Sequence, residues 1–245
     1  MKNAKSPNPK LTKKEKLLIP KLVQYYRDNK GDLEAFLEGF AGQILSSKLL
    51  KDHTHSVKWR MKDPDHLRDK LQRKMLEARK EGRTYNVTEQ NLFWKITDLA
   101  GLRILHLYTQ QADHINRALK KIFDEELFTV VEGPTARTWD DESREFFKSV
   151  EIKTRKSPSL YTSVHYVIKP RKKTRYTCEI QVRTLMEEVW GEVNHSLNYP
   201  HETKSLACRE QIAALARTTS ASTRLVDAIF RSHADFKKTQ LRKPA

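Results

Sequence analysis

The sequence predicts an α+β fold in which strands and amphipathic helices alternate about a central sheet, with further helices at both ends. Three stretches carry this. Cys178 to Val182 alternates strictly, with Glu179, Gln181 and Arg183 on one side and Cys178, Ile180 and Val182 on the other, the pattern of a strand with one polar and one core face. Ile104-Leu105-His106-Leu107-Tyr108 is nearly all apolar, as a strand buried on both faces would be. Between such runs, helical stripes recur, as in Ile115, Ala118, Leu119, Ile122 and Phe123 ahead of a strand at Leu127 to Val131.

Taken in order, residues 1–15 are rich in Lys, Asn and Pro without periodicity and read as a basic tail or the ragged start of a helix. Residues 16–54 hold N-terminal helices. One runs from Pro20 to about Asn29, and one after Gly31 carries Leu33, Phe36, Leu37, Phe40, Ile44 and Leu45 on a single face. Val57, Trp59 and Met61 then alternate with Lys58, Arg60 and Lys62, a short strand with three cations on its polar side. Asp63-Pro64-Asp65 opens a helix whose inward face is Leu67, Leu71 and Met75, and which puts His66 and Lys70 one turn apart. Arg60, Lys62 and Lys70 either meet on a phosphate-bearing ligand or are ordinary solvated charges.

Lys80 to Gln90, with Gly82, is a loop, Leu92 to Lys95 is helical, and Asp98 and Arg103 fall at the mouth of the apolar strand. Asp98 there is a turn or cap residue, or a ligand. A helix opens near Asp113, and Glu132 to Glu142 is a connection containing Gly and Pro. Between Glu151 and Tyr176 stand eight Lys or Arg and one acid. Lys153, Arg155 and Lys156 precede the turn Ser157-Pro158-Ser159, and a strand from Tyr161 to Ile168 puts Val164, Tyr166 and Ile168 opposite Ser163 and His165. Loop cations beside Tyr161 make a nucleotide clamp or, equally, a basic hairpin with Tyr161 as core edge. Arg171 to Arg175 is a basic hairpin tip.

After the strand at 178, Thr184 caps a helix in which Leu185, Val189, Val193 and Leu197, widened by Met186 and Trp190, face inward, while Asn194 and His195 join the polar cluster. Residues 201–245 are C-terminal helices with Ile212, Leu215, Leu225, Val226, Ile229 and Phe230, ending in a basic tail from Lys237. They cover the sheet or form an oligomer contact, so a homo-oligomer stays open. One globular domain is expected.

Composition narrows the function. Hydrophobic content of 38% suits a folded chain, and the absence of G-x-x-x-x-G-K-[ST] and G-x-G-x-x-G excludes the glycine-rich phosphate loops. A formal charge of +16 favours polyanionic partners. Two cysteines give no disulfide framework and no metal-ligand spacing. With no apolar run near the roughly 20 residues of a membrane span, the expectation is a soluble, cytoplasmic protein without a membrane partner.

Four segments in fixed order now carry a family resemblance. Arg60-x-Lys62-x(7)-Lys70, Asp98-Leu-Ala-Gly-Leu-Arg103, Tyr161-Thr-Ser-Val-His165 and Glu179-Ile-Gln-Val-Arg-Thr184, with Trp190 and His195 beyond, together resemble the synthetase domain of the RelA/SpoT alarmone synthetases over roughly residues 55–200. The resemblance implies a mixed β-sheet of nucleotidyltransferase type flanked by helices. It implies transfer of pyrophosphate from ATP to the 3′-hydroxyl of GDP or GTP with Mg²⁺ as cofactor. Asp98 would hold the metal, and Glu179 would help hold it or take the proton of the attacking hydroxyl. Arg60, Lys62, Lys70 and Arg103 would bind ATP; Tyr161 would stack on the acceptor base, with Lys153, Lys156, His165, Gln181 and Asn194 near the acceptor.

Two positions depart from the family pattern: His66 stands at a usual Ser, and Leu160 at a usual Gly before the stacking Tyr. No His-Asp dipeptide and no upstream stretch resembles the hydrolase domain of the long members, so a short, synthetase-only chain is expected. Two alternatives keep the basic clusters in play: a toxic relative that pyrophosphorylates the tRNA 3′ end or makes adenosine alarmones, and a catalytically inactive RNA-binding protein.

Overall fold

The computed structural model describes residues 10–126, 128–157, 159–171, 174–199 and 202–241. Strand β1 (Ser56–Met61) follows helices α1 (Lys13–Asn29), α2 (Gly31–Ser46) and α3 (Lys48–Lys51), and α4 (Pro64–Lys80) and α5 (Leu92–Lys95) precede β2 (Ala100–His106). Then come α6 (Gln111–Glu125), β3 (Phe128–Thr138), α7 (Asp141–Ser149), β4 (Lys153–Lys156) and β5 (Ser163–Pro170). β6 (Cys178–Thr184), α8 (Leu185–Asn198) and α9 (Leu206–Leu241) complete the chain. The strands form one mixed sheet in the order β1-β2-β6-β5-β3-β4, in which β2–β6 and β3–β4 are parallel and the other pairs antiparallel.

Register explains why this sheet has one apolar and one chemical face. Trp59, Leu102, Ile180 and Tyr166 are successive cross-strand partners, and Val57, Ile104, Val182, Val164 and Ala136 form the next row. These rows, all but β1 buried, join α2 and α6 in the main core with Leu37, Phe40, Ile115 and Leu119. The alternate rows read Lys58, Arg103, Gln181, His165, Thr135 and Lys153, and Arg60, Gly101, Glu179 and Val167. A period of two along every strand therefore gathers the polar residues of six segments on one face.

Several boundaries differ from the sequence reading. α1 begins at Lys13, where a capping box between Thr12 and Glu15 satisfies the first amides, and Pro20 lies inside it; residues 1–9 of the expected tail lie outside the described residues. β2 starts at Ala100 and stops at His106, so Arg103 is within the strand. Glu132 to Thr138, expected as connection, continues β3 through two register shifts. There Gly133 has φ +90°, and a Cβ on it would meet the His165 carbonyl oxygen at 2.2 Å, so only glycine permits the bulge. The next segment is α7, capped by Asp140. Lys153 to Lys156 is an edge strand and not a loop. The expected tips at Pro158 and at residues 172 and 173, and the last four residues of the basic tail, lie outside the described residues.

The largest correction concerns α8. Val189, Val193 and Leu197 are exposed, while Glu187, Glu188 and Trp190 are buried. α8 lies on the polar face of the sheet, so it buries Glu188 against strand cations and Glu187 against the Thr162 amide, while Trp190 packs apolarly against Ile212 and Ala216 of α9. On α2, Leu45 is exposed, and on β1, Trp59 is exposed because β1 is an edge strand. α9 is one continuous helix whose Leu225 and Ile229 face solvent. Among the described residues no helix is long and apolar enough to cross a membrane.

Candidate active site

Asp98 sits just ahead of β2, and Asp63, as N-cap, with Pro64, at the first helical position, turns the chain out of β1 into α4. The Lys62 backbone is fixed there by its amide on the Leu99 carbonyl (2.8 Å) and by Tyr26 Oη donating to its carbonyl (2.8 Å). Lys62 Nζ then lies 3.1 Å from Asp98 Oδ2, and Lys70 Nζ 2.7 Å from Oδ1. Burial pushes the Asp98 carboxyl up, but the ammonium groups of Lys70 and Lys62 outweigh it and hold the group below the usual range. Burial lowers Lys62, against the pull of Asp98.

Glu179, two strands in from the β1 edge, has both oxygens held. His165 Nδ1 is 3.2 Å from Oε1, and Gln181 Nε2 donates to Oε2 at 2.9 Å. Burial raises this carboxyl; the His165 hydrogen bond and charge, with Gln181, more than reverse that, while the charge of Asp98 opposes them. The two acids are therefore electrostatic neighbours. They border one cleft of about 350 Å³ together with Arg60, Lys62, Arg103 and Gln181. Gly101 stands between Arg60 and Glu179 in the cross-strand row, and its missing side chain leaves that row open.

A second cleft of about 230 Å³ shares Arg103 and Gln181 and continues to Tyr161, Asn194 and His195. Tyr161 is set by its neighbours: its Oη is 2.9 Å from His165 Nε2, and its ring lies parallel to Trp190 at a centroid distance of 6.2 Å. Leu160 occupies a left-handed φ of 54° and packs with Tyr161 against the Trp190–Ile212 cluster, so burial offsets the strain that glycine would avoid. His195 stacks on Tyr199, and His66 meets both edge-on, so the histidine at the unusual position closes the outer wall.

Of the residues singled out from sequence, the structure brings Arg60, Lys62, Lys70, Asp98, Arg103, Glu179, Gln181 and His165 to one region and Tyr161 and Asn194 to its extension. Lys153 shares a third cleft with His165 and Glu179. Lys156 does not join them. It pairs with Thr138 on the opposite face of β4, and Arg155, on the Lys153 side, takes its expected place beside Arg137. The alternation of β4 would have shown this had the segment been read as a strand. Also missed were Glu188 and Glu192, which hold Arg103, and Arg137, which lay in the supposed connection.

The donor set fits a divalent cation of the magnesium type. Both Asp98 oxygens face lysine ammonium groups, Oδ1 toward Lys70 at 2.7 Å and Oδ2 toward Lys62 at 3.1 Å, so a cation would share this carboxylate with them, and the two acids offer it oxygen only. Among the described residues no group of three or more His, Cys, Asp or Glu forms a metal cage.

Comparison with known proteins agrees with this geometry. A family model described as "Region found in RelA / SpoT proteins" matches residues 59–204. Among solved structures, the small alarmone synthetase 1 from Bacillus subtilis bound to its product pppGpp is 23% identical, with a TM-score of 0.52 over 88% of this chain and 96% of that one. The same synthetase bound to AMPCPP is 20% identical, with a TM-score of 0.51 over 88% and 97%. A GTP pyrophosphokinase family protein from Streptococcus pneumoniae is 20% identical, with a TM-score of 0.50 over 96% and 100%. No curated protein matches by sequence. The order β1-β2-β6-β5-β3-β4, the two acids on one face and a match across more than half of the chain lead to one conclusion: the chain belongs to the family defined by the region found in RelA / SpoT proteins.

Proposed function

We propose that this chain is an alarmone synthetase that transfers the β,γ-pyrophosphoryl group of ATP to the 3′-hydroxyl of GDP or GTP, giving (p)ppGpp. The observation that carries the reading is the pair Asp98 and Glu179 on one cleft rimmed by Arg60, Lys62 and Arg103. A protein that only bound polyanions would gain nothing from two carboxylates facing its ligand.

In this reading Arg60, Lys62, Lys70 and Arg103 grip the triphosphate of ATP and fix it for in-line attack. Tyr161 stacks on the acceptor base, Lys153 and His165 lie toward the acceptor phosphates, and Gln181 and Asn194 complete its cleft. Glu179, with both oxygens oriented by His165 and Gln181, accepts the proton of the 3′-hydroxyl. The 3′-oxygen forms a bond to the β-phosphorus as the bond from that phosphorus to the α,β-bridging oxygen breaks, and AMP leaves. Asp98 and Glu179 would hold Mg²⁺, which when bound neutralises charge on the transferring group. Lys62 and Lys70 keep the Asp98 carboxyl ionised for that purpose.

The test is transfer from labelled ATP by purified protein with Mg²⁺, offering GDP, GTP, ATP and tRNA side by side. Label is expected on GDP or GTP, and Asp98→Asn and Glu179→Gln should each lower the rate roughly a hundredfold or more. Label on tRNA or ATP alone would replace the acceptor assignment, and unchanged rates in both variants would sink the reading.

A further inference from the structure

On α8, Glu188 and Glu192 stand one turn apart and both reach Nη1 of Arg103 on the cleft face of β2. The two carboxylates differ in kind. Glu188 is buried, with a side chain 6% exposed, and it is shared by Arg183, by Arg103 at 3.1 Å and by Lys58 at 3.2 Å. One carboxylate cannot neutralise three cations, and Arg183 is itself buried, so Glu188 is committed to it. Glu192 is 52% exposed, and Arg103 is its one ion-pair partner among the described residues. It lies in the cleft beside Arg60 and Glu179. The group thus has a permanent inner counter-ion and an exchangeable outer one.

We infer that Glu192 is a stand-in for substrate phosphate, sharing Arg103 Nη1 with Glu188 until a polyphosphate displaces it, and that it thereby sets the affinity of the cleft for highly charged ligands. The inference rests on the donor assignment above only in the identity of the ligand; the geometry asks for a polyphosphate. A displaced Glu192 swings into water at little cost because half of its side chain is already there, whereas Glu188 has no such freedom. A ligand with one or two charges gains too little at Arg103 to dislodge a carboxylate, and one with three or four gains enough. Glu192 is in this sense a specificity-determining residue and takes no part in the chemistry.

The experiment is calorimetric titration of the full chain with inorganic tripolyphosphate and with AMP, in wild type, Glu192→Gln, Arg103→Gln and the double variant. Glu192→Gln keeps the shape of an exposed side chain and leaves Glu188 in place. Its expected effect is a roughly three- to tenfold lower Kd for tripolyphosphate, with a narrower gap between tripolyphosphate and AMP, and no such gain when Arg103 is absent. An unchanged or higher Kd in Glu192→Gln would mean that Glu192 orients Arg103 for the ligand, and overturns the inference. So would a gain that persists in the Arg103→Gln background, or no binding of tripolyphosphate by any form. Titration with α,β-methylene-ATP separates the two readings: a response to tripolyphosphate without one to the nucleotide analogue retains the stand-in and removes the ATP assignment.

Discussion

Glu187 shows how much a single side chain can carry. It is buried at the start of α8, accepts the Thr162 backbone amide at 3.0 Å and so anchors the loop that ends in Tyr161. Burial pushes its carboxyl up to about 7 from an ordinary 4.5. Between those values the folded chain holds a proton that the unfolded chain has lost, so stability falls as pH rises through that window and the loss is complete above about pH 7. The size is on the order of 3 kcal/mol at most. Glu187→Gln keeps an oxygen for Thr162 and removes the titration. Melting curves at pH 5 and pH 8 should therefore show wild type losing midpoint relative to the variant at the higher pH, and parallel curves would refute the assignment. Sequence alone could not single out Glu187, because a carboxylate one position from Glu188 reads as helix surface until the partner strand is known.

At the level of elements, α8 is where pattern and structure part most. The stripe Leu185, Val189, Val193 and Leu197 has a sound helical period, yet the burial follows Glu187, Glu188 and Trp190. Periodicity reports which residues are apolar, not what the helix rests on; here it rests on Arg183 and Arg103. Close approach to that floor explains Gly191, whose added Cβ would lie 2.8 Å from Arg183 Nη1. Elsewhere the elements were legible where one principle ruled. Asp63-Pro64 opened α4 and Thr184 capped α8 as expected, because a cap is a local event. β3 was cut short because Gly133 and Pro134 mark turns as often as bulges, and only pairing with β5 distinguishes them.

Across the molecule, α9 lies beyond the family match at 59–204 but is fastened to the core at three polar points. Ile212 accepts the Trp190 indole at 3.1 Å, Asp140 takes Ser220 at 2.6 Å and Arg224 at 2.8 Å, and Asp227 takes the Thr109 amide and hydroxyl, both at 2.7 Å. Asp140 also caps α7. Because Ile212 and Leu215 support Leu160 and Tyr161, loosening α9 should be felt at the proposed acceptor cleft. Asp140→Ala is expected to cost about 2–4 kcal/mol in thermal unfolding and to raise the acceptor KM more than it lowers kcat; an unchanged KM would detach α9 from the site. The sequence did not show where α9 is fastened, because the partners that hold it through Asp140 and Asp227 lie 80 or more residues away.

The sheet is open at both margins, with β1 at one border and β4 at the other, and each border strand is short and studded with Lys or Arg. Strand borders of this kind invite a neighbour's backbone to zip on, and clustered like charge is one of the ways proteins discourage that. Arg60, Lys153 and Arg155 place such charge on the two borders, so a role against edge pairing is expected of them besides the proposed one toward phosphate. Stripping their charge is expected to lower solubility as well as the proposed grip on substrate, and any lost turnover in such variants has to be weighed against light scattering before it is blamed on chemistry.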